Sequence, residues 1–386
     1  MIRKLSNEAR DYAWGSSTLI PEYFGVHATG GPMAEVWFGT HEGCPTKVAG
    51  TDGSLLDLRK NEPLPFLLKI LAADAPLSIQ AHPNLEQAIA GFERENAAGI
   101  GLDSPERNYR DANHKPEMIV ALTPFRALIG FRPVVDVAVA LRRIGMRAQQ
   151  LGLPQLEQAM SEYVQLFRMG GYRVLLRALL TRRGELDEVT SQLAVLAASG
   201  NSEENVESQN LALVPQLQRL YPGDPGILVS QLLNYVELAP LEAAELAAGN
   251  VHAYLSGLGV EIMANSDNVM RGGLTPKHID TDELLRVIDF TAVGVELVAV
   301  RQLAKGLTEY PSETTDYRLR RIEPGVGTVQ VDLTGAGILL CTAGSLTVRD
   351  AAGASVILKP GEAAYSDEAM VVCSAAAGGT GFLATA

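Results

Sequence analysis

The residues that could do chemistry fall into three short segments. The first is Gln80-Ala-His82-Pro83. The second runs from Tyr109 to Met118 and holds Asn113, His114, Lys115 and Glu117. The third spans Asn250 to Asp280. If Leu77 to Pro83 is extended, the two-residue period of a strand puts Gln80 and His82 on one face, and the same reading pairs His252 with Tyr254. With Glu117, the set Gln80, His82 and His252 then offers two imidazoles, a carboxylate and an amide oxygen. Zinc accepts such ligands, and a set that keeps one position open is catalytic in style rather than structural. Histidine on its own is more often a hydrogen-bonded core or surface residue. No His-Glu-x-x-His and no paired Cys-x-x-Cys spacing reinforces the signal. The third segment spends four consecutive positions, Asn265-Ser-Asp-Asn268, on small polar groups and follows them with Arg271. A purely core segment would have no use for them. Gly272-Gly273 reads as the turn by which the chain leaves this site.

These segments need a scaffold. Up to about residue 77, strand-like runs such as Ala34–Phe38 and Phe66–Leu71 sit between Gly and Pro punctuation. Trp14 and Trp37 read as core bulk. Pro83 ends a strand because it lacks an N–H, and Asn84 can cap a helix from Leu85 to Phe92. Met118–Leu122 is strand-like again. From 134 to 236 the texture turns helical, with amphipathic runs at Val135–Arg143, Leu156–Phe167 and Val174–Leu180. β texture resumes beyond it, so this stretch reads as an insertion. The expected division is 1–133 with 237–315 as a discontinuous catalytic domain, 134–236 as a helical domain, and 316–386 as a C-terminal β domain. Glu283–Ile288 reads as a short helix capped by Asp280 or Thr281. Pro360-Gly-Glu-Ala363 echoes Pro240-Leu-Glu-Ala243, as two β-barrels of related design would. By propensity alone, the residues from Ala239 to Asn250 look helical.

Composition limits the partners. A net charge of −13 and a pI near 5.0 argue against nucleic acid or an anionic membrane surface. An anionic small molecule is still compatible, because a few local cations can outweigh the global sign. Cys44, Cys341 and Cys373 form no complete disulfide set. With no leader-like or long apolar run, a soluble, cytoplasmic protein is expected, and a monomer.

The segments Gln80-Ala-His82-Pro83, Asn113-His-Lys-Pro-Glu117, His252-Ala-Tyr-Leu-Ser-Gly257, Ser266-Asp-Asn-Val-Met-Arg271 and Gly273-Leu-Thr-Pro-Lys277 closely resemble those of type I mannose-6-phosphate isomerases. Trp14-Gly15 and Ala34-Glu-Val-Trp37 match as well, and the order is kept along the whole chain. The resemblance implies a mainly β protein with a helical insertion. Its parts would be a cupin-type, jelly-roll catalytic β-barrel, an α-helical domain and a second, degenerate cupin-like β-barrel. It implies one zinc ion per chain on Gln80, His82, Glu117 and His252, a small sugar phosphate as substrate, and Arg271 as a catalytic residue. Lys115, His114 and Asp267 would serve proton transfer or substrate handling. Lys69, Tyr254, Arg271 and Lys277 would bind substrate. One departure is Leu241, where the family has glycine. If that turn needs φ > 0, leucine is strained there.

The chemistry suits these residue types. An aldose–ketose isomerase moves a proton between C2 and C1 through an enediolate. A divalent cation and a guanidinium can both stabilise the charge that develops on oxygen. Lys115, His114 and Asp267 are all candidate bases, and spacing does not choose among them. Two other readings compete. One is a non-catalytic sugar-phosphate sensor, against which the polar run from Ser266 to Arg271 argues. The other is an iron-dependent oxygenase, against which Gln80 argues by standing where a His-x-His pair would have an imidazole.

Overall fold

The computed structural model describes residues 2–200, 206–292, 294–325, 327–333, 335–374 and 378–386. One strand, His252–Ala264, organises the site. Its second half pairs with Phe66–Ala73 on one side and Glu117–Ala121 on the other. Its first half pairs instead with Phe125–Phe131 and Ile79–Ala81. The change of partners falls at a register shift between Tyr254 and Ser256, followed by Gly257 at φ +123°. A Cβ on Gly257 would stand 2.7 Å from the Pro124 carbonyl oxygen. Only glycine fits this bend, which turns one nine-stranded sheet into two facing layers.

Further layers stack on both sides. Ile79, Leu128, Ala253 and Leu255 pack against the helices, in a core shared with Leu141, Leu156, Leu176 and Leu217. The other layer, through Leu68, Ile70, Val260 and Ile262, packs on Leu319, Leu340 and Phe382 of an eight-stranded sheet. Each fully buried side chain here contributes on the order of 1.5–3 kcal/mol. That sheet also takes in Arg3–Ser6 and Lys47–Val48 from the start of the chain. A four-stranded sheet covers its far face through Val329, Val348 and Val372. No closed barrel forms among the described residues. The sheets stay open and stack, so the barrel expected from sequence becomes a layered arrangement.

The helices Val134–Gln150, Pro154–Thr181, Asp187–Ala198 and Val206–Leu220 lie between Phe125–Phe131 and Leu233–Leu238, two strands that pair with each other. Pro154 opens its helix at a position where the missing N–H costs little. Gly170 and Gly171 break the helical dihedrals within it, so two expected helices run on across a kink. Asn84 caps the helix Leu85–Ala97 with a reciprocal bond to Gln87, and Asp280 caps Thr281–Val287. No described helix is long and apolar enough to cross a membrane.

Two expectations change. Ala243–Leu246 is a strand despite its helical propensity, because it pairs with Glu117–Ala121 and is mostly buried. Leu241 does take φ 74°, in the same turn that Gly361 makes at φ 84°. In both turns the glutamate accepts a hydrogen bond from the backbone N–H three residues earlier, Glu242 from Ala239 at 2.8 Å and Glu362 from Lys359 at 2.9 Å. The sequence echo is thus a repeated turn. Gly272-Gly273 is not a turn. Both residues lie in the strand Met270–Gly273, whose register on Ile79–Ala81 shifts after Arg271. A Cβ at Gly273 would stand 2.5 Å from the Gly226 Cα, so close approach to the helical layer explains the glycine.

Gly257→Ala should cost about 2–4 kcal/mol in urea unfolding, from strain at positive φ plus the clash with Pro124. A variant within about 1 kcal/mol of the parent would contradict the bend as described.

Candidate metal centre and cleft

The antiparallel register puts Glu35, Trp37, Leu67, Lys69, Leu71, Glu117, Glu261 and Met263 on one face of the first layer. Gln80 and Tyr254 face them from the second layer. Together with Lys115, Ser266 and Asp267 they line a cleft of about 180 Å³.

At its foot lie His82, Glu117 and His252, all buried, with candidate ligand atoms within 4.8 Å of one another. His82 Nε2 is 3.5 Å from Glu117 Oε2, and His252 Nε2 is 3.4 Å from the same oxygen. The other ring nitrogens are tied to backbone carbonyls, His82 Nδ1 to Asn268 O at 2.7 Å and His252 Nδ1 to Asn250 O at 3.1 Å. A carbonyl can only accept, so each Nδ1 carries the hydrogen and each Nε2 presents a lone pair. Burial and the nearby Lys115 push the His82 pKa down to about 4, so its ring is neutral. Burial alone would raise the Glu117 pKa. Lys115, whose Nζ is 2.9 Å from Oε1, and His82 outweigh it and hold the group well below the usual carboxylate range. Two lone pairs and an anionic oxygen therefore converge. His82 Nε2 and Glu117 Oε2 have no hydrogen-bond partner. Buried polar atoms left so are costly, and a divalent cation accepting all three resolves the arrangement. Gln80 Nε2 lies 3.4 Å from His252 Nε2. An amide presents either end by rotation of its last bond, so Gln80 can supply an oxygen there.

The expected substrate residues separate into paired and unpaired cations. Lys69 Nζ sits 3.0 Å from Glu261 and 3.6 Å from Glu35. Burial would lower its pKa, but Glu261, Glu35 and Glu117 raise it strongly, so it stays an ammonium and is no base. Arg271, Lys277 and Arg110 have no carboxylate partner among the described residues. Burial and Arg110 lower the Arg271 pKa, and burial, Arg271 and Arg110 lower that of Lys277. Like charges held this close favour an anion between them. Arg271 is paired by register with Gln80, so this trio flanks the metal centre. The Tyr254 hydroxyl is buried without a partner, and burial with Glu261 and Glu117 keeps it a phenol.

His114 turns to Asp316, its Nε2 2.8 Å from the carboxylate, while Lys115 reaches the cleft. Asp267 also lines the cleft. Burial would raise its pKa, but His41, Lys115 and Lys69 hold it below the usual range, so it is ionised. Its neighbours Ser266 and Asn268 serve the fold. Ser266 Oγ donates to Asp111 Oδ1 at 2.8 Å, and Asn268, fully buried, accepts from the Arg110 N–H at 2.7 Å. They clasp the second segment to the third. Trp37 is buried as expected but also walls the cleft, its Nε1 donating to Glu35 at 2.8 Å. Sequence reasoning missed Glu35, Glu261, Arg110 and Asp111. A charged residue inside an apolar strand, as in Val260-Glu-Ile and Ala34-Glu-Val, is the signal that could have found the first two.

A β-sandwich with a buried two-histidine, one-carboxylate centre and a cation-rich flank is the framework of a metalloenzyme. Residues 2–134 match the family model for the catalytic domain of type I phosphomannose isomerase. The mannose-6-phosphate isomerase of Salmonella typhimurium is 36% identical, over 99% of this chain and 98% of that one. The Homo sapiens mannose-6-phosphate isomerase is 32% identical over 89% of this chain and 87% of its own length. The crystal structure of the Salmonella typhimurium mannose 6-phosphate isomerase bound to substrate and zinc superimposes with a TM-score of 0.86 at 32% identity, covering 100% of this chain and 99% of that one. The chain belongs to the type I mannose-6-phosphate isomerase family.

Zinc added to metal-free protein should bind at one ion per chain and raise stability by about 2.7 kcal/mol at 100 times Kd. His82→Ala and His252→Ala should abolish that gain in thermal melts. Undiminished stabilisation in either variant would place the ion elsewhere.

Proposed function

We propose that this chain interconverts mannose 6-phosphate and fructose 6-phosphate as an aldose–ketose isomerase, with one zinc ion per chain. The observation that carries this reading is the convergence of His82, Glu117 and His252 on one point, in a chain of this family. Gln80 joins them as the fourth ligand. Zinc held there supplies Lewis-acid stabilisation of charge on the substrate's oxygens.

The chain's own groups do the rest. Arg110, Arg271 and Lys277 receive the phosphate, since all three lie beside the centre and lack a carboxylate partner among the described residues. Lys69 is already neutralised by Glu35 and Glu261, so it orders the cleft rather than binding phosphate. Asp267, ionised and facing the cleft, takes the proton from C2 of the open-chain aldose and returns it to C1, while a proton passes from O2 to O1. Lys115 and the Tyr254 hydroxyl donate to the oxygens on which charge grows. Arg271, opposite Gln80 in the ladder, adds to that stabilisation. His114, bound to Asp316, positions the segment that carries Lys115 and Glu117.

The same reading assigns a cupin-type layout. Residues 1–133 and 237–315 form the catalytic part, 134–236 the helical part, and 316–386 a degenerate repeat, supported by the matching turns at Leu241 and Gly361. A cytoplasmic monomer with a sugar phosphate, and no nucleic acid or membrane, as partner fits the charge of −13.

A coupled assay tests the reading. Chelation should cut interconversion at least about 100-fold, and one equivalent of zinc should restore it. Arg110→Ala should lower kcat/KM about 10- to 100-fold while leaving the melting temperature near that of the parent. Full activity in the presence of chelator would refute the proposal.

A further inference from the structure

We propose that His41 is a positioning residue for the reaction, its Nε2–H holding Asp267 with one carboxylate oxygen engaged and the other directed to the substrate. This rests on the reading of Asp267 as the proton carrier. His41 sits in the turn His41–Cys44, closed by a bond from the Cys44 N–H to the His41 carbonyl at 3.1 Å. Within that turn the Gly43 N–H donates to His41 Nδ1 at 3.1 Å. A backbone N–H can only donate, so Nδ1 is the acceptor nitrogen and Nε2 carries the proton. Nε2 lies 3.2 Å from Asp267 Oδ1. A Cβ at Gly43 would stand 3.3 Å from Nδ1, so the glycine lets the backbone come up to the ring.

The imidazole is fixed on its other side too. Trp37 meets it edge-on, with ring centroids 4.9 Å apart, and Trp37 is itself tied to Glu35. The His41 side chain is only 11% exposed, whereas that of Asp267 is 47% exposed at the cleft. Asp267 is gripped twice, by His41 at Oδ1 and by Asp111 at its backbone N–H at 2.7 Å. No other side-chain partner engages Asp267 among the described residues. A carboxylate that must meet C2 and C1 in turn gains from losing rotational freedom before substrate arrives.

The test compares His41→Leu, His41→Gln, Asp267→Asn and the double variant His41→Leu with Asp267→Asn, all zinc-loaded, by kcat and KM for mannose 6-phosphate. Imidazole 15N–1H spectra of the parent protein provide a readout independent of turnover. His41→Leu should lower kcat about 10- to 100-fold with KM within about 3-fold, and His41→Gln, which keeps a donor near the Nε2 position, should recover most of it. In the Asp267→Asn background, His41→Leu should cost less than about 2-fold more. The spectra should show the Nε2–H tautomer at His41. Asp267→Asn at the parent rate would overturn both the role of Asp267 and this proposal. Slow Asp267→Asn beside a His41→Leu at the parent rate, or an additive loss in the double variant, would overturn this proposal alone. An Nδ1–H tautomer would do the same.

Discussion

Three electron-rich atoms share one buried point, and the rest of the structure is arranged to keep them there. His82 Nε2, His252 Nε2 and Glu117 Oε2 would repel one another without a cation between them. The fold accepts that conflict because each ring is locked by a backbone carbonyl on its far side. Glu117 is opposite Met263 in the ladder, whereas His252 begins the same strand eleven residues earlier. A straight strand would hold those positions about 36 Å apart. They meet only because the strand bends at the bulge before Gly257 and carries its first half into the facing layer. The metal centre depends on that bend.

Charge in and beside the cleft follows a second rule, that cations are balanced by buried carboxylates or left for a ligand. Lys69 is spent on Glu261 and Glu35, whereas Lys115 holds Glu117 with one contact and keeps further N–H donors for a ligand. Arg110, Arg271 and Lys277 are left over, and Arg110 and Arg271 lower the proton affinity of the cations beside them. A protein with a net charge of −13 thus keeps a local surplus of positive charge beside the metal centre. The paired set holds the wall of the cleft in shape, and the unpaired set is where an anionic group gains most.

Much of this was readable in the sequence, and the failures have physical causes. Asn84 and Asp280 announced their helices because capping is local, and Gln80, His82 and His252 stood out because period-2 spacing is local too. The open, stacked sheets were not readable, since closure depends on strand pairings between distant segments. Glu35 and Glu261 looked like ordinary strand residues, because the lysine that explains Glu261 lies 192 positions away. Asn268 was grouped with functional residues on composition. Its side chain joins two loops, and only its carbonyl touches the centre, 186 positions from His82. The helical reading of Ala243–Leu246 failed because propensity yields to a ladder partner.

One ion at the junction of the two facing layers completes the fold of the site. Diffraction from zinc-loaded crystals at wavelengths on either side of the zinc absorption edge tests it directly. One anomalous peak per chain is expected, bonded to Nε2 of His82, Nε2 of His252 and a carboxylate oxygen of Glu117, with the Gln80 amide oxygen turned toward it. A peak bound elsewhere, with those three side chains unchanged and empty between them, would contradict it.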